Sequence, residues 1–237
     1  MQLAVWSGPR NISTALMYSF AQRKDFVAID EPFYAAYLTL TGLNHPMREE
    51  VIASQPTDPD VVIRTLTERP SEGAAHMYQK HMTQHMIEAI SRDWMETITN
   101  VFLLRHPARV ISSFSKKYEN PMLHDIGFQK QKELFRFLRD MGQSPIVVDS
   151  YDIRRFPEQT LKKLCLHLSL DFDPTMLCWE TGGSSYDGVW AKHWYGAVHR
   201  STGFSGPEGP LPDLPVKLRS LEQQALDDYD EMMEHCL

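Results

Sequence analysis

Short continuous apolar runs alternate along the chain with longer stretches in which apolar residues recur every three or four positions. The first pattern predicts strands covered on both faces, the second amphipathic helices. Leu3-Ala4-Val5-Trp6 is the first such run, and Ser7-Gly8-Pro9 breaks it. A helix from about Ser13 to Gln22 follows, with Leu16, Met17 and Phe20 on one face. Phe26-Val27-Ala28-Ile29 predicts a second strand, ended by Asp30-Glu31-Pro32 because proline cannot continue a ladder. Helices are expected over Phe33–Leu40, through the polar segment to Ser54, and from Asp58-Pro59 onward, where Val61, Val62, Thr65 and Leu66 form a stripe. Ala74–Met82 predicts a third strand, with a helix through Ile90 after it. Asn100–Arg105 is the clearest strand, and Pro107 suits the first turn of a helix carrying Val110, Ile111 and Phe114.

Phe128–Met141 predicts an amphipathic helix closed by Gly142, whose basic positions from Lys130 to Arg139 read as a solvated face. Ser144–Asp149 is a further buried strand and Pro157–Leu168 a further helix. Residues 181–215 turn to Gly, Ser, Pro and aromatics, an irregular loop. A final acidic helix, 216–234, is expected to pack on its own core or on a second copy, so a homodimer stays open. Strands alternating with helices predict an α/β class: a three-layer αβα arrangement with a central, mainly parallel sheet. The 237 residues suit one domain, 1–237.

Composition narrows the partners. A net charge of −7 argues against general nucleic-acid binding, which needs a basic face, yet allows one small basic pocket. Three cysteines without CxxC spacing make a disulfide framework or structural zinc site a poor fit and suit a reducing compartment. No run approaches the roughly 18 apolar residues of a membrane span, and Met1-Gln2-Leu3 leads straight into a strand without a signal-peptide pattern. A soluble, cytoplasmic protein with no membrane partner is the expectation.

The chemistry is expected beyond the carboxyl ends of the strands, where Ser7–Thr14, Glu31, Lys80-His81 and Arg105 fall. A strand turning tightly into a helix aims free amides and a positive dipole end at one spot, a metal-free anion site. Arg10, Ser13 and Thr14 add a cation and two hydroxyls there; an ordinary first βα turn is the other reading. The turn is neither GxxxxGK[ST] nor GxGxxG.

Pro9-Arg10-Asn11-Ile12-Ser13-Thr14, taken with Arg105-His106-Pro107-Ala108-Arg109-Val110-Ile111-Ser112-Ser113, resembles the sulfotransferase family, whose sulfuryl donor is 3′-phosphoadenosine 5′-phosphosulfate (PAPS). The resemblance implies that Arg10, Asn11, Ile12, Ser13 and Thr14 hold the 5′-phosphosulfate, and that Arg105 and Ser113 hold the 3′-phosphate. Ile12 stands where the family usually has Gly, and Arg10 where Lys is commoner. Arg105 has a second reading, a strand-end arginine paired with a carboxylate. Convergence of the two segments is the deciding observation: an Arg105 far from the loop, or turned to a buried acidic partner, speaks for the architecture without the activity.

Glu31 is the first candidate for the general base, since some sulfotransferases carry a Glu near that position; Asp30-Glu31-Pro32 as a plain turn is the alternative. His81 is the second, beside Lys80, whose cation suits charge growing on the bridging oxygen. Alternation sends Lys80 and His81 to opposite faces, so one of them is expected in the pocket. His85 is expected to pack half-buried, and His45, His124 and His193 to lie on the surface. Trp194 or Tyr195 and Arg200 look like a divergent counterpart of the family's late loop over the 3′-phosphate and adenine, or else a loop held down by its aromatics. The leading expectation is sulfuryl transfer from PAPS to a small-molecule hydroxyl or amine, without a metal. Behind it stand a P-loop-like kinase, for which Asp149 is the only plausible magnesium ligand, and a non-catalytic nucleotide binder of the same fold.

Overall fold

All five apolar runs become strands of one parallel sheet in the computed structural model, which describes residues 1–70 and 73–237. The strands are β1 (Gln2–Ser7), β2 (Phe26–Asp30), β3 (His76–Met82), β4 (Thr99–Leu104) and β5 (Ile146–Asp149), in the order β2-β3-β1-β4-β5. Every neighbouring pair is parallel, and helices in the connections after β1, β2 and β4 and beyond β5 cover the faces of the sheet. This is the three-layer α/β class expected from the patterning.

The helices are α1 (Ser13–Ala21), α2 (Tyr34–Thr41), α3 (Arg48–Ser54), α4 (Pro59–Thr67), α5 (Pro107–Phe114), α6 (Leu123–Ile126), α7 (Phe128–Asp140), α8 (Ser150–Arg155), α9 (Pro157–His167), α10 (Ala191–Trp194) and α11 (Val216–Met233). Side-chain alternation along the central strands divides the core. Leu3, Val5, Val101 and Leu103 pack with Leu16, Met17 and Leu161 on one face. Ala4, Trp6, Phe102 and Leu104 pack with Val110, Leu134 and Leu221 on the other.

Two expectations change. The helix through Ile90 is absent: only a 3-10 turn, Thr83–His85, follows β3. Its apolar residues Met86 and Ile90 are buried in the core without a helix to carry them. The basic face of α7 is not simply solvated, because α11 lies against it. Lys132 pairs with Asp228, and Arg136 forks onto Glu231 at 2.6 Å through two nitrogens. The apolar stripe of α11 is accordingly buried in its own chain, with Leu218, Leu221, Ala225, Tyr229 and Met232 in the core. The short helices α6 and α8 went unmarked because too few residues carry any periodicity. Among the described residues no helix is long and apolar enough to cross a membrane.

Candidate active site

The carboxyl ends of β1, β3 and β4 open into a cavity of about 880 Å³. Its floor is the turn after β1. Arg10 and Ile12 both sit in the left-handed region, at φ 65° and 58°, with Asn11 between them. Asn11 is buried and donates through Nδ2 to the carbonyl of Leu103 at 3.0 Å, which pins the turn to the tip of β4. Its Oδ1 is buried without a partner. Ile12 serves as N-cap of α1 but supplies no capping side chain. Among the described residues, nothing takes up the amides of Ser13 and Thr14, which line the cavity with Arg10 and Ile12. Gly8 lets the turn fit: a Cβ there would stand 2.7 Å from the carbonyl oxygen of Ile126.

The second segment converges on this turn. Arg105, at the end of β4, donates through Nη1 to the carbonyl of Arg10 at 2.6 Å. Arg10 in turn donates through Nε to the Ser113 hydroxyl at 2.9 Å. All three side chains line the cavity. Burial lowers the pKa of Arg10, and the nearby charge of Arg105 lowers it further. Yet Arg105 also has a carboxylate partner. Its Nη2 bonds Glu208 Oε1, and Arg154 reaches the same oxygen at 2.7 Å. Both readings of Arg105 are therefore present at once: it lies against the turn and it is paired.

Across the cavity, β2 ends in a cluster of buried charge. Lys80 is 1% exposed, and its ammonium donates to Asp30 at 2.9 Å, Glu31 at 2.5 Å and the Tyr195 hydroxyl at 2.7 Å. Tyr195 donates to Asp30 at 2.8 Å and accepts from the Trp190 indole at 3.0 Å. Burial opposes the Lys80 charge, but the two carboxylates outweigh it and hold its pKa above the ordinary value. Two carboxylates sharing one ammonium leave a net negative charge. Burial therefore pushes Asp30 up to about 6, with Lys80 pulling the other way and Glu31 adding to the rise. Glu31, at φ 41°, turns its side chain to the cavity. The bond from Lys80 falls on Oε1, with the Tyr195 hydroxyl oxygen 3.2 Å from the same atom, and among the described residues no hydrogen bond engages Oε2. Beyond Glu31 the wall is aromatic: Tyr34, Tyr37, His45, His85, Tyr118 and Trp194.

A model of the sulfotransferase domain matches residues 1–236. The chain belongs to the sulfotransferase family. Over 230 residues, 97% of the chain, the domain is 34% identical to the branched-chain-amino-acid aminotransferase-like protein 2 of Arabidopsis thaliana and 35% identical to protein 1 of the same name. It spans 41% of the length of each. Among solved structures, the sulfotransferase domain from the curacin biosynthetic pathway matches with a TM-score of 0.56 and 19% identity, over 96% of both chains. A sulfotransferase from Alicyclobacillus acidocaldarius matches with a TM-score of 0.56 and 13% identity, over 100% of this chain and 96% of that one. At such identities the likeness is one of fold.

Within the sulfotransferase domain, several expected site residues lie elsewhere. His81 is on the opposite face of β3 from Lys80, 2% exposed and stacked on Trp6 at 4.2 Å. Burial, with His85 and Lys80 nearby, drives its pKa well down, so it is a core residue and not a base for the cavity. Lys80 reaches the cavity, but its three N–H groups all have acceptors, leaving none for a bridging oxygen. It holds the carboxylates in place instead. Arg200 is exposed and does not line the cavity, because the turn Val198–Arg200 points it outward; Tyr195 and Trp194 face inward. Asp149 caps α8 through the Tyr151 amide at 2.9 Å and also lies outside the cavity. His85 is buried between Tyr34 and Tyr37, with ring centroids at 4.6 and 4.8 Å. His45, expected on the surface, meets the Tyr34 hydroxyl at 3.0 Å. Arg154 and Glu208 were missed altogether: one sits on a helix too short to show a period, the other in the irregular loop.

Proposed function

We propose that this domain moves a sulfuryl group from PAPS to a hydroxyl or amine of a small acceptor. One observation carries the reading. The turn after β1, Arg105 and Ser113, separated by some ninety residues and more, meet in one cavity, with a carboxylate across from them. The residues fit a doubly phosphorylated nucleotide. The uncapped amides of Ser13 and Thr14 and the Arg10 guanidinium suit the 5′-phosphosulfate, and Arg105 with Ser113 the 3′-phosphate.

PAPS supplies the activated sulfur and, as leaving group, adenosine 3′,5′-bisphosphate. Arg10 and the α1 amides neutralise the charge that gathers on the 5′-phosphate as its bond to sulfur breaks. Glu31 Oε2 takes the proton of the attacking hydroxyl or amine, while Lys80 holds Oε1 and keeps the carboxylate in place. The aromatic wall beyond Glu31 favours an acceptor with an apolar or ring-bearing body. The kinase reading is weaker because Asp149 stands outside the cavity. The pairing of Arg105 with Glu208 speaks for the non-catalytic reading unless Glu208 yields to the donor.

Calorimetry separates the sulfotransferase reading from the kinase reading. Adenosine 3′,5′-bisphosphate is expected to bind and ATP with magnesium is not; the reverse result rejects the sulfotransferase reading. Arg105→Ala is expected to weaken bisphosphate binding by about 1.5–3 kcal/mol, the worth of a charged hydrogen bond. Glu31→Gln is expected to abolish most turnover with bisphosphate affinity kept.

A further inference from the structure

The segment Ser205-Gly206-Pro207-Glu208-Gly209 runs as exposed backbone, yet one side chain in it is sealed. The Glu208 carboxylate is 3% exposed. Three guanidiniums from three elements bury it. Arg105 from the end of β4 and Arg154 from α8 share Oε1, and Arg109 from α5 approaches Oε2 at 3.3 Å. Three positive charges face one negative charge, so the cluster has cation to spare for a dianion. Arg105 and Arg154 also line the cavity, whereas Arg109 does not. The arginine fork that accepts a carboxylate accepts a phosphate monoester equally well.

The attachment of the segment suits release. A Cβ on Gly206 or Gly209 would meet nothing within 4 Å, so no close packing retains the backbone at these two points. Gly209 sits at φ 67°, a conformation a glycine enters and leaves cheaply. Polar contacts do the holding: Arg154 to the carbonyls of Ser205 and Gly206, and Arg109 to those of Glu208 and Gly209.

We infer that Glu208 is an internal competitor for the donor's second phosphate. In the free protein its carboxylate occupies the fork of Arg105 and Arg154. A nucleotide 3′-phosphate displaces it and turns the 205–209 segment outward. The inference rests on the donor reading above and adds a determinant to it: donor affinity is reduced by the fraction of molecules in which the fork is already filled. A nucleotide without the second phosphate does not compete with Glu208 and is indifferent to it.

The experiment compares adenosine 3′,5′-bisphosphate with adenosine 5′-monophosphate by calorimetry, on the wild type and on Glu208→Gln. The variant is expected to bind the bisphosphate roughly tenfold tighter or more, and the monophosphate within about twofold of wild type, since a screened distant charge matters little. Equal or weaker bisphosphate binding means that Glu208 orients the arginines, and overturns the inference. A like gain for both nucleotides reports a general change of field and overturns it too. Bisphosphate binding to neither protein rejects the donor reading itself. A wild-type crystal structure with the bisphosphate bound checks the same point without a substitution. Glu208 is expected beyond hydrogen-bond reach of Arg105; an intact Arg105–Glu208 pair beside the bound nucleotide overturns the inference.

Discussion

Two clusters of opposed charge flank the same cavity, and they are built differently. Asp30, Glu31 and Lys80 belong to the ends of adjacent strands, β2 and β3, whose backbones are paired residue by residue from Phe26–His76 to Asp30–Lys80. Tyr195 and Trp190 close over them with further hydrogen bonds. Arg105, Arg109, Arg154 and Glu208 bring together a strand end, two helices and an exposed loop. The first cluster has one cation for two anions, the second three cations for one anion. A buried pair on a sheet is fixed because breaking it strands charge in a low dielectric. A pair completed by a loop beside an open cavity can exchange its partner for water or a ligand. On the function proposed above, the first holds a base in place and the second receives an anion.

The contrast is sharpest in Lys80→Met, which removes the ammonium shared by two buried carboxylates. It is expected to cost about 3–5 kcal/mol in urea unfolding, against about 1–2 kcal/mol for Glu208→Gln, which keeps a hydrogen-bond acceptor among three arginines, two of which line the cavity. Similar losses in the two variants would erase the distinction between a locked and an exchangeable cluster.

The next test is pH. Burial raises the Asp30 pKa from 3.8 to about 6 in the folded protein. A raised acid binds its proton more tightly when folded, so its contribution to stability is complete below 3.8 and is lost as pH rises through about 6. Asp30→Asn is expected to flatten the stability–pH curve across that window, as read by thermal unfolding. An unchanged slope would mean that the cluster does not store a proton.

The smallest effect is expected in the backbone of the turn after β1. Of the five non-glycine residues at positive φ among the described residues, Arg10, Ile12 and Glu31 line the cavity. A β-branched residue at φ 58° carries strain of about 1–2 kcal/mol, and Ile12→Gly is expected to recover about 1 kcal/mol of it after the entropy of glycine is counted. Calorimetric melting checks this; a lower melting temperature would show that Ile12 packing outweighs its backbone strain.

The five strands and the longer helices were legible because burial on a sheet or helix face imposes a period on the residues. The helix expected after Met82 does not form, because Met86 and Ile90 are buried through an irregular path whose spacing imitates a helix. Strand alternation also decided between Lys80 and His81: one step along β3 moves a side chain from the cavity to the core beside Trp6. The turn after β1 and Arg105 with Ser113 could be read as two separate motifs, since each is a local run.

What the chain alone determined, then, is the α/β architecture and the two segments that meet at its strand ends, because strand burial and tight turns are written in neighbouring residues. Only the tertiary structure decided that Lys80 is spent on two carboxylates, that Arg200 faces away, and that Glu208 fills the arginine fork from some hundred residues along the chain. Charge pairing acts through space over a few ångströms and leaves no period in the sequence, so which cation meets which anion is settled by the fold.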